Sequence, residues 1–155
     1  MPAEVIRPKF DVVRGWPQGS AHDRTFESVV DGGGAPLKLR QGSFVTTTTN
    51  AGECKPATVG TGATALLPLW LVIEGNDESD SYAGDYLDKA VVIKGSFEVL
   101  LSETMFVANA YTPSDHLTII GGQFAPANPG VNEGINAYVL SYDAASKLLR
   151  ASVTL

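Results

Sequence analysis

From Val91 to Leu101 the chain alternates. Val91, Ile93, Phe97, Val99 and Leu101 share one parity, while Lys94, Ser96 and Glu98 take the other. Successive side chains of a strand point to opposite faces, so this pattern predicts a half-buried antiparallel strand. Upstream, Leu69-Trp70-Leu71-Val72-Ile73 is apolar without alternation and closes on Glu74-Gly75. A run of that kind fits a strand covered on both faces. The intervening Asn76–Asp85 is polar and acidic, with almost nothing to bury. The stretch Leu66–Leu101 therefore predicts a central strand with a second strand paired beside it, and the rest of the chain is expected to complete the same sheet or barrel.

Sixteen glycines and nine prolines punctuate the remainder at short intervals, as in all-β folds. Thr25–Val30 is β-branched and aromatic, and it runs into the glycine turn Asp31–Gly34. Leu37–Leu39 and Ser43–Thr49 read as short strands, and Ala51–Thr64 reads as a loop. Thr104–Ala108 and His116–Ile120 read as further strands. Ile135–Ser141 and Leu148–Leu155 form a closing hairpin across Asp143–Ser146. No helix of ten residues is predicted, only a single turn near Asp143–Lys147. The expected fold is all-β: a single antiparallel barrel or sandwich domain of about eight to ten short strands. At 155 residues one domain can bury roughly 70% of its unfolded surface.

Residues 1–24 read as an extended N-terminal arm, separate from a β-rich core over 25–155. Pro2, Pro8 and Pro17 block a regular helix and favour extended backbone. A disordered tail would fit the prolines, but such tails are poor in aromatics, and this one carries Phe10 and Trp16. The arm is expected to lie on a neighbouring subunit through Val5, Ile6, Phe10, Val12 and Trp16. Its removal, residues 1–22, is expected to leave the β fold intact.

Composition excludes several function classes. Eleven basic against seventeen acidic residues give a formal charge of −6, with no basic stripe, so nucleic acid is not an expected partner. Cys54 is the single cysteine, so no internal disulfide forms, and its loop position predicts a modestly exposed thiol. No signal-like start and no run of eighteen apolar residues is present, so synthesis in the cytoplasm without membrane insertion is expected. His22 and His116 are far apart and lack ligand partners at short spacing, so no metal or other cofactor is expected. The acidic cluster Glu74, Asp77, Glu78, Asp80, Asp85 and Asp88 approaches the length of a calcium loop. However, Tyr82 stands where glycine is needed and Asp88 where a bidentate Glu is needed, so it reads as a solvated loop. There is no nucleophile elbow and no phosphate-binding glycine loop. No catalysis is expected.

The order of features carries a resemblance. The arm and the glycine turn are followed by Leu69–Gly75 and the acidic loop. Val91-Val92-Ile93-Lys94-Gly95-Ser96-Phe97-Glu98-Val99, Tyr111-Thr112-Pro113 and Leu117-Thr118-Ile119-Ile120-Gly121-Gly122-Gln123-Phe124 come next, before the closing hairpin. Over about residues 25–155 this resembles the head decoration, or cement, proteins of tailed bacteriophages. The resemblance implies a structural virion protein, made in the host cytoplasm and placed on the outer capsid surface, where it binds the major capsid protein and stabilises the expanded head. It also implies self-association, a homotrimer being favoured and a homodimer possible. Many weak contacts on a repeating lattice then add through multivalency.

Two other readings compete. A carbohydrate- or small-ligand-binding β module of a tail or adhesion apparatus would need Trp16, Tyr82, Tyr86 or Tyr111 as an exposed stacking platform. A hydrolase built on Asp115 and His116 is geometrically poor, because adjacent strand residues point to opposite faces.

Overall fold

The computed structural model describes residues 10–17, 23–30, 33–76 and 88–155. The strands are β1 (Phe10–Pro17), β2 (Asp23–Ser28), β3 (Phe44–Thr47), β4 (Glu53–Pro56), β5 (Trp70–Glu74) and β6 (Lys89–Ile93). They continue with β7 (Gly95–Ser102), β8 (Leu117–Ile120), β9 (Gln123–Pro126), β10 (Ala137–Asp143) and β11 (Leu148–Thr154). One 3₁₀ turn spans Gly62–Ala65. The chain is all-β.

Five strands close into a barrel in the order β2-β4-β3-β5-β6, and β6 returns to β2. The closure includes one parallel pair, β2 with β4, among otherwise antiparallel neighbours. A second sheet runs β1-β7-β11-β10, and β8 pairs with β9. An antiparallel bridge from His116 to Tyr138 ties the β8–β9 hairpin to the outer side of β10.

The alternating stretch 91–101 is two strands rather than one, and they belong to different sheets. β6 pairs with β5, as the flanking apolar run predicts, but β7 leaves the barrel and pairs with β1 and β11. The corner is Lys94-Gly95, where Gly95 takes φ 147°. Glycine at a bend between sheets is the usual physical solution, because a side chain resists that backbone geometry.

Two cores follow from this arrangement. Phe26, Val45, Cys54, Val72 and Val92 come one from each barrel strand and fill the barrel interior together with Leu39 and Ala90. Phe44, Leu71 and Ile93 point from the same barrel wall to its other side. There they meet Phe97, Val99 and Leu101 of β7 and residues of β8 to β11. Leu71 and Val72 are both fully buried, one in each core. This is why the β5 run is apolar on both faces.

Three local expectations are corrected. Leu37–Leu39 is irregular and is held by Asn76 instead of a strand. Ala51–Thr64 contains β4 and the start of the 3₁₀ turn, because the four residues Glu-Cys-Lys-Pro are too few to carry a periodic signal and form a strand by pairing with β3 and β2. Thr104–Ala108 is a turn followed by a single parallel bridge from Phe106 to Phe124.

That turn stores strain. The Met105 N–H donates to the Ser102 carbonyl at 3.1 Å, and Thr104 sits at φ 81°. A β-branched residue resists a positive φ that glycine accepts freely. Thr104→Gly is therefore expected to raise stability by about 1 kcal/mol. A urea midpoint shifted upward at unchanged slope is the check, and a lower midpoint would refute the strain account.

Candidate interaction surface

The arm is the interface expected from the sequence, and the structure places part of it. Phe10, Val12 and Trp16 lie in β1, opposite Leu101, Val99 and Ser96 of β7 in register. Val5 and Ile6 lie outside the described residues. β1 is thus paired along its length with β7 of its own chain, with a bulge between Val12 and Arg14. Asp23 and Arg24 belong to β2, a barrel strand, rather than to the arm.

β1 occupies one end of the order β1-β7-β11-β10. An edge strand carries a row of backbone N–H and C=O groups on its outer side, which is a template for another strand. On β7 the alternation sends Phe97, Val99 and Leu101 into the core. Ser96 and Glu98 face the other way, where Ser96 meets Thr154 at 3.1 Å and Arg150 donates to Glu98 at 3.1 Å. The edge therefore sits beside an outer face that carries Ser96, Glu98 and Ser102 together with a half-buried Leu100.

The other candidate residues resolve differently. The carboxylate of Asp115 accepts from the Thr112 N–H and hydroxyl, both at 2.9 Å, which holds it below the usual carboxylate range. It closes the 112–115 turn. His116 is exposed beside a depression of about 360 Å³ that also meets Asn109, Pro126 and Pro129. Tyr111 is buried, not a stacking platform. Its hydroxyl donates to the Val107 carbonyl, and its ring packs edge-on against Phe106 and Tyr142 at 5.6 Å each. Burial, and secondarily Tyr142, pushes its pKa up to about 12. Tyr82, Tyr86, His22 and Asp77–Asp85 lie outside the described residues. Among the described residues no group of three His, Cys, Asp or Glu converges to hold a metal ion.

Cys54, expected as a modestly exposed loop thiol, is instead fully buried in β4 inside the barrel. Pairing with β3 turns its segment into a wall of the barrel and its side chain inward. Burial, and to a lesser degree Glu53, raises its pKa from 9.0 to about 12. Its folded-state pKa lies above the unfolded value, so its contribution to stability is complete below pH 9 and is lost as the pH rises toward 12. Because the thiolate is the nucleophile, iodoacetamide at about pH 8 is expected to leave the folded protein unlabelled and to label it in denaturant. Rapid labelling of the native chain would contradict the buried position.

Sequence reasoning missed the clamp that Asn76 forms on Leu37 and Leu39, and the exposed apolar side chains Leu66 and Val131. Val131 is isolated between Gly130 and Asn132, and Leu66 sits in the short run Ala65-Leu66-Leu67 before Pro68, so neither carries a periodic signal and only the fold reveals their exposure. Comparison with family models, curated proteins and solved structures returned no match.

Proposed function

We propose that this protein decorates the outer surface of a tailed-bacteriophage head and stabilises the expanded shell by bridging major capsid subunits. The observation that carries the reading is the position of β1, an edge strand at the rim of an all-β domain, reached directly from residues 1–9. A shell protein can add a strand to such an edge, gaining main-chain hydrogen bonds without any catalytic machinery. The acidic balance of −6 suits an exterior position, away from the packaged genome. No enzymatic role is part of the proposal.

Density-gradient separation of lysate from the source cells, probed for this chain, tests it. Co-banding with DNA-filled particles supports the reading, whereas a chain that stays with soluble material overturns it. The arm is tested by deleting residues 1–9. Deleting residues 1–22 would also strip β1 from β7 and bare a core strand, so it no longer isolates the arm. The shorter deletion is expected to weaken binding to expanded heads at least tenfold while the melting temperature stays unchanged. Unchanged binding would remove the arm from the mechanism.

A further inference from the structure

Four stretches of chain converge on one pocket of about 140 Å³. Lys38, Arg40 and Ser43 come from the segment leading into β3, and Pro56 ends β4. Thr104 and Met105 come from the turn after β7, while Gly121 and Gln123 come from the β8–β9 hairpin. The lining is cationic in an acidic protein. Two of the chain's eleven basic residues stand in it, and among the described residues no Asp or Glu does. The sequence is one-sided in the same places. Residues 32–52 contain Lys38 and Arg40 and no acid, and residues 104–114 and 117–132 contain no Asp, Glu, Lys or Arg. Glu103, next to Thr104, is paired with Lys147 at 3.2 Å. Two cations that line one pocket repel each other, and an anion between them offsets that cost.

Hydrogen bonds hold the donors in place. The Ser43 N–H and hydroxyl both donate to the Arg40 carbonyl, which anchors the Arg40 backbone. Arg40 Nη1 donates to Thr104 Oγ1 at 3.4 Å, so the guanidinium reaches from the 38–43 segment to the turn after β7. Lys38 Nζ donates to the Asn76 carbonyl at 3.4 Å, which uses one of its three N–H groups. Gln123 Nε2 donates to the Thr104 carbonyl at 2.6 Å and ties down the residue that sits at φ 81°. Strained backbone of this kind clusters at ligand sites. A guanidinium presents parallel N–H donors that match two oxygens of an oxyanion, and an ammonium adds a compact point charge. The pocket holds about five water volumes, which suits the five heavy atoms of phosphate. Two cations favour a dianion over a carboxylate.

We propose that this pocket binds phosphate, held by the Arg40 guanidinium and the Lys38 ammonium beside the Thr104 hydroxyl. No residue of β1 lines it, so the site holds or fails independently of shell binding through that edge.

Calorimetric titration of inorganic phosphate into the full chain at constant ionic strength tests it. The native chain is expected to give a saturable isotherm in the millimolar range. Arg40→Gln is expected to weaken binding about tenfold, and Lys38→Gln, at an exposed position, about threefold. Arg150→Gln removes the same charge from the Glu98 pair on the second sheet and is expected to change nothing. Thr104→Gly supplies a readout that misfolding cannot imitate, because it is expected to bind about threefold more weakly while its urea midpoint rises. O-phosphoserine separates two sources of the same group. Equal binding means that the pocket accepts phosphate carried by a larger molecule, and loss of binding restricts it to the free ion; both uphold the site when Arg40→Gln weakens them. A native chain with no saturable phosphate binding overturns the proposal. Binding indifferent to both Arg40→Gln and Lys38→Gln overturns it as well, and so does acetate that binds as tightly as phosphate.

Discussion

Phe124→Ala is expected to destabilise the protein by about 4 kcal/mol. Phe124 of β9 and Phe44 of β3 are both fully buried, with ring centroids 4.6 Å apart and planes tilted by 48°. The pair joins the barrel wall to the β8–β9 hairpin at the centre of the larger core. Truncation removes the apolar area and leaves a cavity that surrounding strands cannot close, since Leu71, Leu117 and Ile119 are already held in paired strands. For a chain of this length about 4 kcal/mol corresponds to a melting temperature lower by about 8 to 16 °C. Phe44→Ala should cost a similar amount, and the double variant less than the sum by about 1 kcal/mol, the coupling expected of one aromatic pair. Calorimetry should show a single transition in each case, because both sheets share that core. Separate transitions would mean that the barrel and the second sheet fold independently.

Gly75→Ala is expected to cost about 3 kcal/mol, although the substitution adds one methyl group. A Cβ at this position would lie 2.1 Å from the Leu39 carbonyl oxygen and 3.0 Å from the Gln41 nitrogen. Both are backbone atoms, so no flexible side chain can yield. The segment that must move is bound to the next residue. The Leu39 N–H donates to Asn76 Oδ1 at 2.6 Å, Asn76 Nδ2 donates to the Leu37 carbonyl at 2.9 Å, and the Asn76 N–H donates to the Leu39 carbonyl at 3.0 Å. Asn76 is fully buried, and Leu39 beside it plugs the barrel core. Asn76→Ala should cost about 2 kcal/mol by leaving the Leu39 N–H and the Leu37 carbonyl without these partners. Urea denaturation of both variants is the check. A Gly75→Ala midpoint within error of the native one would mean that the 37–41 segment adapts freely.

What the amino-acid sequence determined by itself was local. The β5 run and the closing hairpin were legible to within a residue or two, because side-chain parity and apolar runs are properties of neighbours along the chain. The all-β class followed from the same signals. The partner of each strand was decided only in three dimensions. Apolar residues recur at the odd positions Val91, Ile93, Phe97, Val99 and Leu101 as if in one strand, yet the corner at Gly95 sends one half to the barrel and the other to the second sheet. Arm residues Phe10, Val12 and Trp16 read as outward-reaching, because alternation beside prolines says nothing of where a matching edge lies, and β7 supplies one within the chain. Cys54, Asn76 and Tyr111 look alike in a sequence, as isolated residues in turn-rich stretches. Their burial depends on contacts made by the fold, such as those of Asn76 with Leu37 and Leu39 across the barrel mouth, and no local pattern encodes such contacts.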